Sequence, residues 1–242
     1  RSSDLVQSDV SISAEIANRF PITLELTLLA ILVALAISVP LALLASRRAN
    51  GTLDFALSGL ALVGLSMPAF AVATALVLVV SLQLHWLPPG GYRPLLTDPV
   101  QNLRLMIMPA ISLGVVSGGV MMRIFRASLA SAMEQGFAMI SRSRGASTGR
   151  VLVRHAVPVA VVPFMTFSAM ELGAIFGGAL IVERIFQLPG LGSLVLLSIE
   201  SRDFRTLQAA ALLIAAFVMV VNLLVDVVAA WIDPRLRRLS AQ

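Results

Sequence analysis

Long apolar runs separated by short polar segments form the main pattern of the chain. Five of these runs contain at most one charged residue each: 26–46, 55–84, 105–122, 156–182 and 206–225. A helix rises 1.5 Å per residue and the hydrocarbon core of a bilayer is about 30 Å thick, so roughly 20 residues cross it. The pattern therefore predicts an all-α, polytopic membrane protein with five transmembrane helices.

Several runs carry local signals of their own. Pro21 is expected in the first turn of the first helix. The run 55–84 is too long for one straight span, so we expect it to be tilted, or broken at Met67-Pro68. The third helix is expected to continue past the membrane towards Glu134. Between the last two spans, 193–199 is apolar but too short to cross, which favours a short interfacial helix.

Small residues recur at intervals of four in two of the predicted spans. Gly114 and Gly118 continue a series that begins at Ala110, and Gly173 and Gly177 repeat the spacing in the fourth span. Small side chains on one helix face let a second helix approach closely. We therefore predict that these glycines are helix-packing positions.

Composition removes several classes of function. The 242 residues include no Cys and no Lys, and all 18 basic residues are Arg. A nucleotide-binding P-loop needs its Lys, so any ATP would be bound by another chain. We find no nucleophile motif, no His within a span and no paired acids, and neither His85 nor His155 has metal-ligand spacing. We expect no catalytic residue, no metal site, no cofactor and no nucleic-acid partner.

Charge divides the polar segments into two sets. One set carries 11 Arg and 3 acidic residues: 47–54, 123–155 and 233–242. The other carries 7 Arg and 8 acidic residues: 1–25, 85–104 and 183–205. Because Arg is enriched in cytoplasmic loops, the first set is predicted to lie inside the cell. The N-terminus then lies outside and the C-terminus inside.

This topology predicts three regions. Residues 1–25 form an outer segment, 26–232 a transmembrane domain with a cytoplasmic loop at 127–157, and 233–242 a cytoplasmic tail. That loop is longer than a connection requires, and long loops often carry function. It is either a solvated basic loop that sets topology or a docking element for a peripheral protein.

The loop also carries a spacing typical of one transporter group. Gly145, followed by His155 and Pro158, resembles the coupling ("EAA") loop of ABC importer permeases. Arg142-Ser143-Arg144-Gly145 and Arg154-His155-Ala156 resemble the dipeptide/oligopeptide/nickel permease family. Further similar pieces follow in the same order: Trp86-Leu87-Pro88, Glu183 with Phe186, Pro189-Gly190-Leu191-Gly192, Asn222-Leu223-Leu224-Val225-Asp226 and Asp233-Pro234-Arg235. The chain departs from the family at Met139 and Ile140, where small or polar residues are usual.

The resemblance implies a set of partners. They would be a second, homologous permease, two ATP-binding cassette subunits that hold ATP and Mg²⁺, and an extracytoplasmic substrate-binding protein. It also implies a multi-pass protein of the bacterial cytoplasmic membrane, with one further span before residue 1. Peptides are the expected substrates; glutathione-like compounds and nickel chelates stay open, as does a structural subunit of a membrane complex.

The resemblance also assigns roles to residues. The expected ATPase-coupling residues are Gly136, Arg142, Arg144, Gly145, Ala146, Arg150 and His155. The expected residues of the path or gate are Met170, Glu171, Glu183 and Phe186. Glu171 lies within a span, so it is a ligand for a substrate ammonium group, one half of a structural ion pair with an Arg of this or the partner permease, or a side chain that extends towards water. The loop 183–205 is either an outer gate or a lid that only packs on the bundle.

Overall fold

A computed structural model describes residues 2–232, apart from 48–50, 137–139 and 142–144. No strand occurs among these residues, and the predicted all-α fold is confirmed. The main helices are α1 (Ser2–Arg47), α2 (Thr52–Ser66), α3 (Ala69–Leu76), α4 (Pro99–Glu134), α5 (Thr148–Val151), α6 (Val157–Ile185), α7 (Leu191–Glu200) and α8 (Phe204–Ile232). The tail at 233–242 lies outside the described residues.

Four helical segments of the described chain are long and apolar enough to cross a membrane: Ile12–Arg47, Pro99–Glu134, Thr148–Ile185 and Phe204–Leu224. They contain the first, third and fourth of the predicted spans and all but the last residue of the fifth. The third of these segments joins α5 to α6 through a π-helical turn, Leu152–Ala156. The predicted second span, 55–84, is divided into shorter helices.

The second apolar run, 55–84, is broken at Met67-Pro68, which was one of the two alternatives expected for it. Both residues are extended, with ψ of 124° and 142°, and they separate α2 from α3. Proline has no N–H to donate and disfavours a helical conformation in the residue before it, so the break falls where the sequence places it. After α3 the chain continues as a π-helix, Val77–Gln83.

Helix α1 begins earlier than the sequence suggested. Pro21 was expected in its first turn, which is wrong, because α1 already begins at Ser2. Ile16 and Phe20 lie one turn apart on a face that packs against α6, α7 and α8. The ring of Phe20 lies 5.3 Å from that of Phe217. This apolar contact accounts for helical structure in a segment that reads as polar.

Asp98 and Asp203 cap the N-termini of α4 and α8. Asp98 Oδ1 accepts a hydrogen bond of 3.1 Å from the Gln101 N–H at the start of α4, where Pro99 is the first residue. Asp203 accepts hydrogen bonds from both the N–H and the hydroxyl of Thr206, at 3.2 and 2.6 Å. The two bonds lower the pKa of the Asp203 carboxyl. Such caps satisfy N–H groups that a helix leaves without partners.

The described residues form two compact units. The first contains 2–32, 68–114 and 172–219, and the second contains 33–47, 51–67, 115–171 and 220–232, with the gaps stated above. The core of the first unit is apolar and contains aromatic side chains. The ring of Phe176 lies 4.6 Å from that of Phe217. Buried residues of α7 and α8 complete this core: Leu191, Leu194, Val195 and Ala210.

The second unit contains a partly buried ion pair between α2 and α4. Asp54 is only 3% exposed, and both of its oxygens accept hydrogen bonds of 2.5 Å from Arg126. This bidentate geometry satisfies a carboxylate that would otherwise be buried at a cost of several kcal/mol. Nearby, the rings of Phe125 and Phe164 lie 4.4 Å apart.

The predicted packing glycines have different surroundings. A Cβ at Gly118 would lie 3.3 Å from the Cβ of Ile37 in α1, and one at Gly173 would lie 3.0 Å from Val218 in α8. Gly114 is buried. Gly177 is exposed, and a Cβ there would meet no described atom within 4 Å. Gly177 is therefore not a packing position within this part of the chain.

Replacing Gly118 with Leu should destabilise the purified protein, because the new side chain has to displace α1. Overpacking of this kind costs about 1–3 kcal/mol. The matched variant Gly177→Leu should leave the thermal unfolding temperature in detergent unchanged or slightly raised, since Leu is also the better helix former. Equal unfolding temperatures for the two variants would contradict the assignment.

Candidate functional site

The carboxyl group of Glu183, near the end of α6, is fully buried in the first unit. Its Oε1 accepts a hydrogen bond of 2.6 Å from the Thr23 hydroxyl on α1. Its Oε2 accepts one of 2.9 Å from the backbone N–H of Ser193, in the first turn of α7. Burying a carboxyl group is costly unless donors replace its water, and these residues supply the donors.

Thr23 connects the same three helices a second time. While its hydroxyl donates to Glu183, its Oγ1 accepts a hydrogen bond of 2.8 Å from the Leu191 N–H. The first N–H groups of a helix have no partner within that helix, and Leu191 and Ser193 both carry such groups. Glu183, Thr23 and the first turn of α7, here called the Glu183 cluster, therefore join α1, α6 and α7 at one point.

Two glycines allow this close approach. A Cβ at Gly190 would overlap the Glu183 carboxylate, and one at Gly192 would overlap both that carboxylate and the backbone at Leu180. Only glycine leaves room for the acid against the start of α7. This explains in physical terms the Gly-Leu-Gly part of the motif that follows Pro189.

Phe186 lies just beyond α6 and is fully buried. Its carbonyl accepts a hydrogen bond of 2.8 Å from the Gly91 N–H, and a Cβ at Gly90 would overlap that carbonyl. Gly91 itself has φ of +106°, which favours glycine. The loop rich in Pro and Gly that follows the π-helix is thus fixed to the end of α6.

Tyr92 fixes the same loop to α1. Its hydroxyl donates a hydrogen bond of 3.1 Å to Glu25 Oε2. Burial, followed by the charge of Glu25, raises the pKa of Tyr92 to about 12, so the phenol keeps its proton at neutral pH and acts as the donor. The other oxygen of Glu25 is buried and has no hydrogen-bond partner in the described part of the chain.

A cavity of about 440 Å³, with both charged and apolar residues in its wall, adjoins the Glu183 cluster. Two arginines in its wall are paired: Arg19 lies 2.8 Å from Glu15, and Arg184 lies 3.5 Å from Glu200. The carboxyl of Glu183 is occupied by its own donors and carries no exposed surface. Its geometry is that of a residue that positions α7, not of a ligand for a passing substrate.

Met170 and Glu171 belong to the second unit. Met170 is 64% exposed, whereas Glu171 is half-buried. Glu171 forms no ion pair with any residue that the structure describes. A structural ion pair within this part of the chain, one of the roles considered for it, is therefore not formed.

The loop at 127–157 contains a tight turn at its centre. Helix α4 ends at Glu134, and the helical residue Ser141 accepts through its carbonyl a hydrogen bond of 3.1 Å from the Ala146 N–H. Gly145 has φ of +81°, and a Cβ there would meet nothing within 4 Å. Glycine is required at this position by its backbone conformation, not by its neighbours. Gly136 is exposed.

Several predicted coupling residues are open to solvent. Arg150 and His155 are exposed. Ile140, one of the two positions at which the chain departs from the family pattern, is an apolar side chain that is 57% exposed. Arg142 and Arg144 lie outside the described residues, as does Met139.

Sequence reasoning missed Thr23, Glu25 and Tyr92. The first span was delimited by its charge-free run, so the polar residues just before Leu26 were assigned to an outer segment. Had the first helix been predicted to begin nearer the N-terminus, Thr23 and Thr27 would have been placed one turn apart on one face of it. No local signal pairs Thr23 with Glu183, 160 positions away.

Replacing Glu183 with Gln should loosen α7, because an amide nitrogen then faces N–H and O–H donors. We expect a loss of about 1–3 kcal/mol in stability and faster hydrogen exchange at 191–200. Glu171→Gln is the matched control on the same helix and should leave both measurements unchanged. Wild-type exchange at 191–200 in Glu183→Gln would contradict the role of the cluster.

The comparisons with known proteins place the chain in a family. Residues 38–238 match the family described as the binding-protein-dependent transport system inner membrane component. A protein of Brucella abortus (strain 2308) that is named as a peptide transport system permease is 34% identical over 93% of this chain and 72% of its own. The glutathione transport system permease protein GsiC of Escherichia coli O6:H1 is 33% identical over 97% of this chain and 77% of its own.

Solved structures show the same fold at low identity. A chain of the MetNI methionine ABC transporter, in an inward-facing conformation, has a TM-score of 0.74 at 14% identity, over 92% of this chain and 98% of its own. A chain of an amino acid ABC transporter crystallised with histidines has a TM-score of 0.67 at 18% identity, over 95% and 97%. This chain therefore belongs to the family of binding-protein-dependent transport system inner membrane components and is a permease subunit of an ABC importer.

Proposed function

We propose that this permease forms half of the path through which an ATP-driven importer takes up peptides. The observation that carries the proposal is the identity of 34%, along 93% of the chain, with permeases named for peptide transport. The relative named for glutathione supports the same chemical class, because glutathione is itself a tripeptide. Nickel chelates are a less favoured alternative, since neither relative is named for a metal.

The other half of the path would come from a second, homologous permease. Exposed apolar side chains and small residues on α6 support such a contact, because Met170, Ala174, Gly177 and Ile181 follow helical spacing and are all exposed. A small residue on such a face lets another helix approach closely. Gly177 would thus pack against the partner permease and not within its own chain.

Two ATP-binding cassette subunits would supply ATP and Mg²⁺. None of the 242 residues is Lys, so they contain no P-loop, and we infer that nucleotide is bound by the partner subunits. An extracytoplasmic binding protein would deliver the substrate to the outer face. We infer a location in the bacterial cytoplasmic membrane, with the Arg-rich segments inside the cell.

Coupling to the ATPases would run through the loop at 127–157. The turn at Gly145 lies between Ser141, which is helical, and α5, while Ile140, Arg150 and His155 offer one apolar and two basic exposed side chains. Arg142 and Arg144 are proposed to add charge to this surface. Movement of the docked segment as a rigid body would then switch the path between inward- and outward-facing states.

Two acidic residues of α6 would have different tasks. Glu171 is half-buried without an ion pair in the described chain, which suits a carboxylate that meets the ammonium group of a peptide or an Arg of the partner permease. Glu183 would hold α7 in place as part of the outer gate, with Phe186 anchoring the adjoining loop.

Uptake assays on the complete transporter test the substrate class. The permeases, ATPases and binding protein are reconstituted together in liposomes with ATP inside. Di- to pentapeptides should be imported, and glutathione should compete with them. Import of a nickel chelate that no peptide inhibits would overturn the peptide assignment.

Replacing Gly145 with Val should abolish ATP-dependent uptake while leaving membrane insertion intact. A β-branched side chain is strongly disfavoured at a φ of +81°, so the turn must change its conformation. Gly149→Val is the matched control, since Gly149 lies in α5 and its Cβ would also meet nothing within 4 Å. The control should retain most of its uptake.

Uptake and stimulated ATP hydrolysis are measured on the same preparations. Normal uptake by Gly145→Val would remove the basis for the coupling assignment. Loss of uptake in both variants would show that the loop is sensitive to any added side chain and that the turn at Gly145 has no special role.

A further inference from the structure

A groove runs between α2 and α4 in the second unit. It consists of two neighbouring cavities of about 520 and 460 Å³, which share Ser58 and Arg126 in their walls. Its walls also include Asp54, Phe55, Leu62, Val120 and Arg123. The groove is thus basic at some positions and apolar at others, and none of the roles assigned above uses it.

The charges in the groove do not cancel. Asp54 is committed to Arg126 through two hydrogen bonds of 2.5 Å. Arg123 is exposed and forms no ion pair with any residue within the described ranges. A guanidinium group carries five N–H donors, so Arg126 retains donors beyond the two that Asp54 uses. The groove therefore presents one uncompensated positive charge beside a partly satisfied second one.

The charged and the apolar residues of the groove lie at different depths in the membrane. Arg123 directly follows the charge-free run 105–122, which places it where α4 leaves the hydrocarbon core. Val120 lies about one turn deeper on the same helix, and on α2 Leu62 lies one turn beyond Ser58. Phe55, at the shallow end, is 84% exposed. The groove has positive charge at the headgroup level and an apolar floor below it.

We propose that this groove binds an anionic phospholipid. The lipid phosphate would pair with Arg123 and take the remaining donors of Arg126, while one acyl chain follows Leu62 and Val120. Charge-assisted bonds from guanidinium to phosphate are short and strong, and basic positions beside the apolar part of a span attract anionic headgroups. A zwitterionic lipid would fill the apolar part equally well but would gain less from Arg123.

The test uses the complete transporter, so that any surface covered by a partner subunit stays covered. The complex is purified in detergent and titrated with phosphatidylglycerol or phosphatidylcholine, and bound lipid is counted by native mass spectrometry. In Arg123→Gln, phosphatidylglycerol should bind about fivefold more weakly, as expected for the loss of one basic group near an anionic surface, with phosphatidylcholine unchanged. Arg104→Gln, at the other end of α4 and also exposed, is the control and should bind like the wild type.

Three results would overturn the proposal. One is wild-type phosphatidylglycerol binding in Arg123→Gln. Another is an equal loss in both variants, which would show an effect of total charge only. The third is displacement of the lipid by inorganic phosphate at equal concentration, which would show an anion site with no role for the acyl chain.

Discussion

The fold of the first unit depends on keeping one carboxyl group out of water. Glu183 is fully buried and is acceptable there only because a hydroxyl of α1 and an N–H of α7 donate to it. The first N–H groups of α7 need acceptors. Glu183 accepts a hydrogen bond from Ser193, and Thr23 accepts one from Leu191. The acid and the helix end satisfy each other, so neither is tolerated without the other.

Much of the architecture follows from the apolar runs, and the reasons for the exceptions are physical. The lengths of the apolar runs predicted the four membrane-length segments, and Pro68 predicted the break within the remaining run. The start of α1 was misjudged because contacts of Ile16 and Phe20 with other helices outweigh the polar character of their neighbours. Local periodicity contains no information about such partners.

The candidate site was predictable as motifs but not as geometry. The Gly145 turn and the Gly-Leu-Gly segment were visible in the sequence, since glycine spacing is a local property. That Glu183 faces Thr23, and that Asp54 faces Arg126, depends on contacts between residues 160 and 72 positions apart. Glu183 was expected as a residue of the path or gate, and its contacts with α1 and α7 could not be inferred from the sequence for the same reason.

The anchored loop that contains Gly91 and Tyr92 has a mechanical consequence. Gly91 is bonded to the end of α6 and Tyr92 to α1, while Asn102, at the start of α4, donates to the carbonyl of Arg93. Three consecutive residues are thus tied to three different helices. The segment acts as a brace, and it distributes a load applied to any one of these helix ends among the other two.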